Sequence, residues 1–170
     1  MNISFTKKLI TFITVPALLL SFTFLADKAN FSGDWKLNES KSDFGQRGAR
    51  FAVKELKVDQ KDDAITIAST RPSFQGGDDM TSSETLTFDG KEIEGKGFGN
   101  STKKSSLKWS DDGLSFTISS NTTMERNGET MEFSGKETWV LSDGGKILTV
   151  TNVTNSQRGE NTTTAVYDKQ

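Results

Sequence analysis

The chain has no cysteine and no histidine. Without cysteine there is no disulfide framework, no thiol nucleophile and no thiolate metal site. Without histidine the commonest general acid–base group and the commonest metal ligand are missing together. No nucleophile–base pair of the usual kind can be built, and no spacing of carboxylates suggests chemistry by acids alone. Proline is scarce: only Pro16 and Pro72 occur, and neither interrupts a strong strand pattern. Charge of one sign is not in excess either. A formal net charge of −2 over 170 residues argues against a nucleic-acid footprint. Asp62 with Asp63, Asp78 with Asp79 and Asp111 with Asp112 lack the alternating oxygen ligands of a calcium loop and read as solvated turns. Beyond residue 30 no segment keeps a 3.6-residue period for three turns, so long helices are excluded. The best candidate, Glu39 to Gln46, is allowed one turn.

Two kinds of segment remain. The first is the N-terminus, where Lys7 and Lys8 precede an apolar run from Leu9 to Leu25, interrupted by Pro16. This reads as a secretory signal over residues 1–26, with cleavage after Ala26 or Ala29. An uncleaved anchor is the rival reading, the run being at the short edge of a spanning helix. Either way residues 27–170 face a non-cytosolic space, periplasmic or secreted, with no stable membrane insertion once a signal is removed. The short charged region and the absent cysteines lean towards a bacterial envelope protein. On that reading the Asn-x-Ser/Thr sites at Asn30, Asn38, Asn100, Asn121, Asn152 and Asn161 are discounted as glycan acceptors.

The second kind fills the rest of the chain. Short alternating runs are separated by turn signals such as Asp62-Asp63, Asp89-Gly90, Asp112-Gly113, Asn127-Gly128 and Asp143-Gly144-Gly145. Asp-Gly and Asn-Gly favour hairpins because a type I′ turn needs positive φ at both central positions. About ten strands result, beginning with Phe31 to Leu37. Arg50 to Val58 shifts phase between Phe51/Val53 and Leu56/Val58, which predicts a bulge near Lys54. The order of hairpins predicts a single all-β domain, an up-and-down antiparallel barrel of about 8–10 strands with no free edge. Within the hairpin of Leu114–Met124 and Thr130–Leu141, one face starts with Leu114 and Phe116 against Trp139 and Leu141 and then turns small and polar. A packed end with a roomier mixed lining beyond it describes a barrel with an internal cavity.

The opening Phe31-Ser32-Gly33-Asp34-Trp35-Lys36-Leu37 resembles the first strand of the calycins, the group of lipocalins, fatty-acid-binding proteins and avidins, with Gly33 and Trp35 at the Gly-x-Trp positions. Gly145 to Thr151 and Ala165 to Lys169 resemble the last two strands of the fatty-acid-binding group. The resemblance implies that Trp35 plugs one end of the barrel and that a basic residue of the last strand packs over it; Lys169 is the candidate, with Arg158 the fallback. Two departures stand out. Asn38 to Ala49 is too short and polar for the helical lid of the fatty-acid-binding group. Ala165 also stands where that group's Arg-x-Tyr pair has its arginine, while Tyr167 matches the tyrosine. Alanine cannot supply a guanidinium fork for a carboxylate, so a lipocalin-like exported variant fits better.

The candidate lining is Phe51, Trp109, Phe116, Ile118, Phe133, Glu137, Trp139 and Tyr167, the aromatic members being divided between core and cavity wall. Glu137 either turns to solvent at a bulge or makes a polar contact inside, paired with Arg71 or Arg126. The expectation is a binder of a small hydrophobic or amphipathic molecule. It has no cofactor, metal, catalytic residues or nucleic-acid partner. The alternative is a structural or interaction module of the cell envelope with a filled barrel. Oligomeric state is left open.

Overall fold

The computed structural model describes residues 28–45, 48–73, 76–97, 101–126, 128–157 and 159–170, and the side chains among them except those of Phe51 and Arg126. The signal-like segment therefore lies outside the described residues, as does Arg158.

Alternation of apolar and polar residues builds ten strands. They are β1 (Gly33–Leu37), β2 (Glu55–Gln60), β3 (Ala64–Arg71), β4 (Met80–Thr87), β5 (Ile93–Lys96), β6 (Thr102–Trp109), β7 (Ser115–Arg126), β8 (Glu129–Ser142), β9 (Ile147–Ser156) and β10 (Gly159–Lys169). Consecutive strands pair antiparallel except β4 with β5, and β10 returns to β1 with Trp35 opposite Lys169 and Leu37 opposite Tyr167. The up-and-down barrel is thus present, but its edges are not all paired. The sheet runs in the order β4-β3-β2-β1-β10-β9-β8-β7-β6-β5, so β4 and β5 share no ladder. This corrects the expectation of a barrel without a free edge. Across the seam, Lys103 Nζ on β6 sits 3.0 and 3.1 Å from the two carboxylate oxygens of Glu84 on β4. The Ser105 hydroxyl donates to the same carboxylate at 3.4 Å. Side chains span a gap that is too wide for backbone bonds.

Inward residues of one end form the core: Leu56 and Val58 of β2, Ile65 and Ile67 of β3, Phe116 and Ile118 of β7, Leu148 and Val150 of β9. The centre of this end is Phe31, which is fully buried just before β1. Its ring lies edge-on to Phe116 at 4.6 Å between centroids, with Trp109 at 5.9 Å and Trp139 at 6.4 Å. Burying each such ring contributes roughly 1.5–3 kcal/mol. The segment that delivers Phe31 is tied down on both sides. Ala29 N–H donates to the Gly113 carbonyl, Gln60 Nε2 donates to the Ala29 carbonyl, and Phe31 N–H donates to Gln60 Oε1. Lys28 Nζ lies over the rings of Phe88 and Trp109 at 4.9 and 5.3 Å.

Trp35, also buried, donates its indole N–H to the Phe31 carbonyl at 3.0 Å. Lys169 Nζ lies 5.1 Å from the Trp35 ring centroid, a cation–π geometry. That placement also accounts for Gly33. A Cβ there would sit 2.7 Å from Lys169 Cε, and its φ of 144° is one that L residues rarely adopt.

The phase shift expected near Lys54 is present as a bulge. Thr70 of β3 stands opposite Glu55 and its carbonyl also accepts the Lys54 N–H at 2.8 Å, so two successive residues of one strand face one of the other. Val53 and Leu56 therefore both turn inward, with Lys54 and Glu55 exposed between them. One local expectation is corrected. Leu114, expected inward, is 57% exposed. The strand starts at Ser115; Leu114 belongs to the preceding turn, where its N–H is bound by Asp112 Oδ1 at 2.9 Å. The helical turn expected within Glu39–Gln46 is present as a 3₁₀ turn at Glu39–Lys41.

Candidate ligand-binding site

Beyond the packed end, the inward face loses its bulk. β3 carries Ile65, Ile67, Ser69 and Arg71 at alternate positions, and β9 carries Leu148, Val150, Asn152 and Thr154. The same parity that fills the core at one end therefore supplies polar groups at the other. The result is an interior cavity in two lobes. One, of about 370 Å³, lies behind the seam, against Ser69, Met80, Glu84 and Lys103. The other, of about 300 Å³, lies against Val150, Asn152, Thr163, Ala165 and Tyr167. Val53, Leu56, Arg71, Glu137 and Trp139 line both lobes and form their common wall. A larger hollow of about 450 Å³ is lined by Asn121, Thr123, Glu132, Ser134 and Asn155 together with Phe133. It lies where β7, β8 and β9 flare and is bounded mainly by exposed polar residues, so it is an outer groove and not part of the interior.

Glu137 enters the cavity without a bulge. Its strand stays in register on both sides, opposite Ile118 and Asn152. Its carboxylate receives two long hydrogen bonds, from Trp139 Nε1 at 3.4 Å and from Asn152 Nδ2 at 3.5 Å. Burial is the main influence on its ionisation and pushes its pKa up; Lys103 opposes this, Glu84 reinforces it, and the Trp139 hydrogen bond and Arg71 oppose it more weakly. Tyr167 donates its hydroxyl to the Val53 carbonyl at 3.2 Å. Burial, helped by Glu137, pushes its pKa well up, so it remains a neutral donor. Arg71 faces the same space, yet among the described residues no ion pair joins it to Glu137. The side chain of Arg126 lies outside the described residues. Among the described residues no group of three acidic residues is placed to hold a metal.

The candidate lining residues separate in space. Glu137, Trp139 and Tyr167 line the cavity. Phe116, Ile118 and Trp109 lie in the packed end, where Phe116 stacks on Trp139 at 5.3 Å and Trp109 meets Phe88 at 5.3 Å. Phe133 borders the outer groove, and the Phe51 side chain lies outside the described set. Gly33, Trp35 and Lys169 stay together at the closed end. Asn152, Ser69 and Val53 went unnoticed in the sequence; strand parity would have found the first two, which follow Val150 and Ile67 by two positions.

No family model matches the chain, and no curated protein matches it in sequence. Among solved structures, zebrafish ileal bile acid-binding protein complexed with cholic acid superposes with a TM-score of 0.56 at 16% identity, over 82% of this chain and 98% of that one. The likeness is one of fold, a nearly closed up-and-down barrel of antiparallel strands. Between β1 and β2 the described residues hold no α-helix; they form short 3₁₀ turns, among them Glu39–Lys41 and Ala49–Phe51. Ala165 also leaves the last strand without an arginine in the cavity wall.

Proposed function

We propose that this protein is an exported, lipocalin-like carrier that holds a small hydrophobic or amphipathic molecule inside its barrel, in a periplasmic or secreted setting. The observation that supports it most is the two-lobed interior, apolar against Leu56, Val150 and Trp139 and polar at Arg71, Glu137 and Asn152. Lobes of about 370 and 300 Å³ reach the range of small-molecule sites, which begins at roughly 300 Å³. A filled barrel acting through its outer face calls for much less free volume. A structural neighbour captured with cholic acid, itself amphipathic, is in keeping with this reading. The reading is of a binder, not an enzyme; the interior groups are suited to orienting a guest. The signal-like N-terminus carries the export part.

Affinity on this reading comes from burying apolar ligand surface at about 25 cal/mol per Å², less the cost of ordering both partners. Native mass spectrometry of the purified protein, with Trp fluorescence across a panel of lipids and retinoids, tests it. Trp139 lines both lobes, so occupancy should change its emission. A protein that emerges empty and gives no fluorescence response to any member of the panel counts against the carrier. Export is checked separately, by fractionating cells that express the full chain and sequencing the mature N-terminus.

A further inference from the structure

Resting on the cavity-binding reading, we propose that the guest is an amphiphile with an uncharged polar end that both donates and accepts hydrogen bonds, an amide or a hydroxyl-bearing ester, held between Glu137 and Arg71. These two side chains share the wall between the lobes, so a polar group there leaves apolar volume on either side for a chain. Several other polar groups nearby are already engaged. Lys103 and Glu84 hold each other at 3.0 and 3.1 Å, with Ser105 on the same carboxylate. Tyr167 donates to the Val53 carbonyl, and the Asn152 carbonyl oxygen accepts from Thr154 at 3.1 Å.

Two capacities stand out on the wall shared by the lobes. Arg71 offers a five-donor fork that has no hydrogen bond or ion pair among the described residues. Glu137 accepts only at 3.4 and 3.5 Å, the outer limit of a hydrogen bond. Both groups are half-buried and border the empty volume of the two lobes. A bare carboxylate would satisfy Arg71 but bring a second negative charge beside Glu137, or force a proton onto it. An ammonium would satisfy Glu137 and face the guanidinium. An amide or a glyceryl ester serves both with no net charge. Ala165 removes the alternative anchor for an acid on the last strand.

The test is competition against the uncharged apolar dye N-phenyl-1-naphthylamine, using dodecanamide, 1-monododecanoylglycerol and dodecanoate at neutral pH. The two neutral amphiphiles should bind roughly tenfold or more tightly than the acid of the same chain, the effect of one charge-assisted hydrogen bond gained without repulsion. Glu137→Met should shrink that ratio to about threefold or less, because the repulsion of the acid goes with the carboxylate; Arg71→Met should weaken the neutral pair about tenfold and the acid at least as much, each affinity being taken relative to that of the dye in the same variant. Arg71→Lys and Glu137→Gln replace either variant that fails to fold. Dodecanoate binding as tightly as the neutral pair overturns the head-group assignment and leaves the cavity reading standing. A ratio unchanged in Glu137→Met, or neutral amphiphiles unweakened relative to dye in Arg71→Met, removes the assignment to these two residues. Failure of the dye and all three amphiphiles to bind takes down the cavity reading with it.

Discussion

Replacing Phe31 with alanine should be among the most damaging single changes in the barrel, although Phe31 lies outside every strand. Its side chain is fully buried, and removing a buried phenyl costs about 3–5 kcal/mol, depending on how far the site collapses. Collapse is hindered here because the ring is surrounded by other rings, Phe116, Trp109 and Trp139, at 4.6, 5.9 and 6.4 Å. Edge-on aromatic pairs add roughly 0.5–1.5 kcal/mol each beyond area, which places the loss near the upper end, about 4–5 kcal/mol. A domain of this size has only about 5–15 kcal/mol in total. With a urea slope near 2 kcal/mol per M, within the usual range of about 1–3, the unfolding midpoint should fall by about 2 M. Equilibrium urea titration followed by Trp fluorescence and far-UV circular dichroism measures it. Leu114→Ala is the internal control: Leu114 is more than half exposed and should shift stability by no more than about 0.5 kcal/mol. A Phe31→Ala loss under about 1 kcal/mol would refute the idea that the pre-strand segment is the stopper of the closed end.

Three further expectations use the same framework. A chain that begins at Asn30 should be less stable than one that begins at Asp27 by about 1–3 kcal/mol, since it forfeits the Ala29 bonds to Gly113 and Gln60 and the Lys28 cation over Phe88 and Trp109; equal urea midpoints would contradict this. Gly33→Ala should cost roughly 1–3 kcal/mol through its backbone angle and the Lys169 contact, and part of that loss should vanish in a Lys169→Ala background; strict additivity in the double-mutant cycle argues against the contact. Glu137 holds its proton to higher pH when folded than its ordinary value of 4.5, so the native state binds more protons above pH 4.5 and this group's contribution to stability declines as pH rises through the shift. Glu137→Gln should therefore melt higher than wild type at neutral pH, with the difference narrowing towards pH 4.5; a difference that does not vary with pH would show that Glu137 titrates normally.

Strand count and order were open to a reader of the residues, because hairpin turns announce themselves. Gly113, at φ 70°, follows Asp112 where β6 hands over to β7. Depth was much less legible. Trp109, Phe116 and Trp139 share an aromatic character in the sequence, yet the first two pack the closed end and the third also walls the cavity. Parity assigns a face, whereas position along the barrel axis depends on shear between strands, which no local pattern reports. Leu114 shows the converse failure: extrapolating parity past the first ladder residue reverses the answer, because a turn obeys Asp112 and not the pleat. Phe31 was read as part of the first strand. Its true role depends on Gln60 and Gly113, far off in sequence. The seam was invisible for a related reason, since a turn signal between β4 and β5 says nothing about whether the strands diverge after it.

That seam gives the wall an expansion joint. Everywhere else around the circumference, widening the ring would pull apart a ladder of backbone bonds; between β4 and β5 no such ladder exists to be torn. The tie there runs from Glu84 on β4 to Lys103 and Ser105 on β6, and its two longer side chains can rotate without breaking a backbone bond. On the carrier reading proposed above, a guest somewhat bulkier than the resting hollow would meet its least resistance on that flank of the barrel.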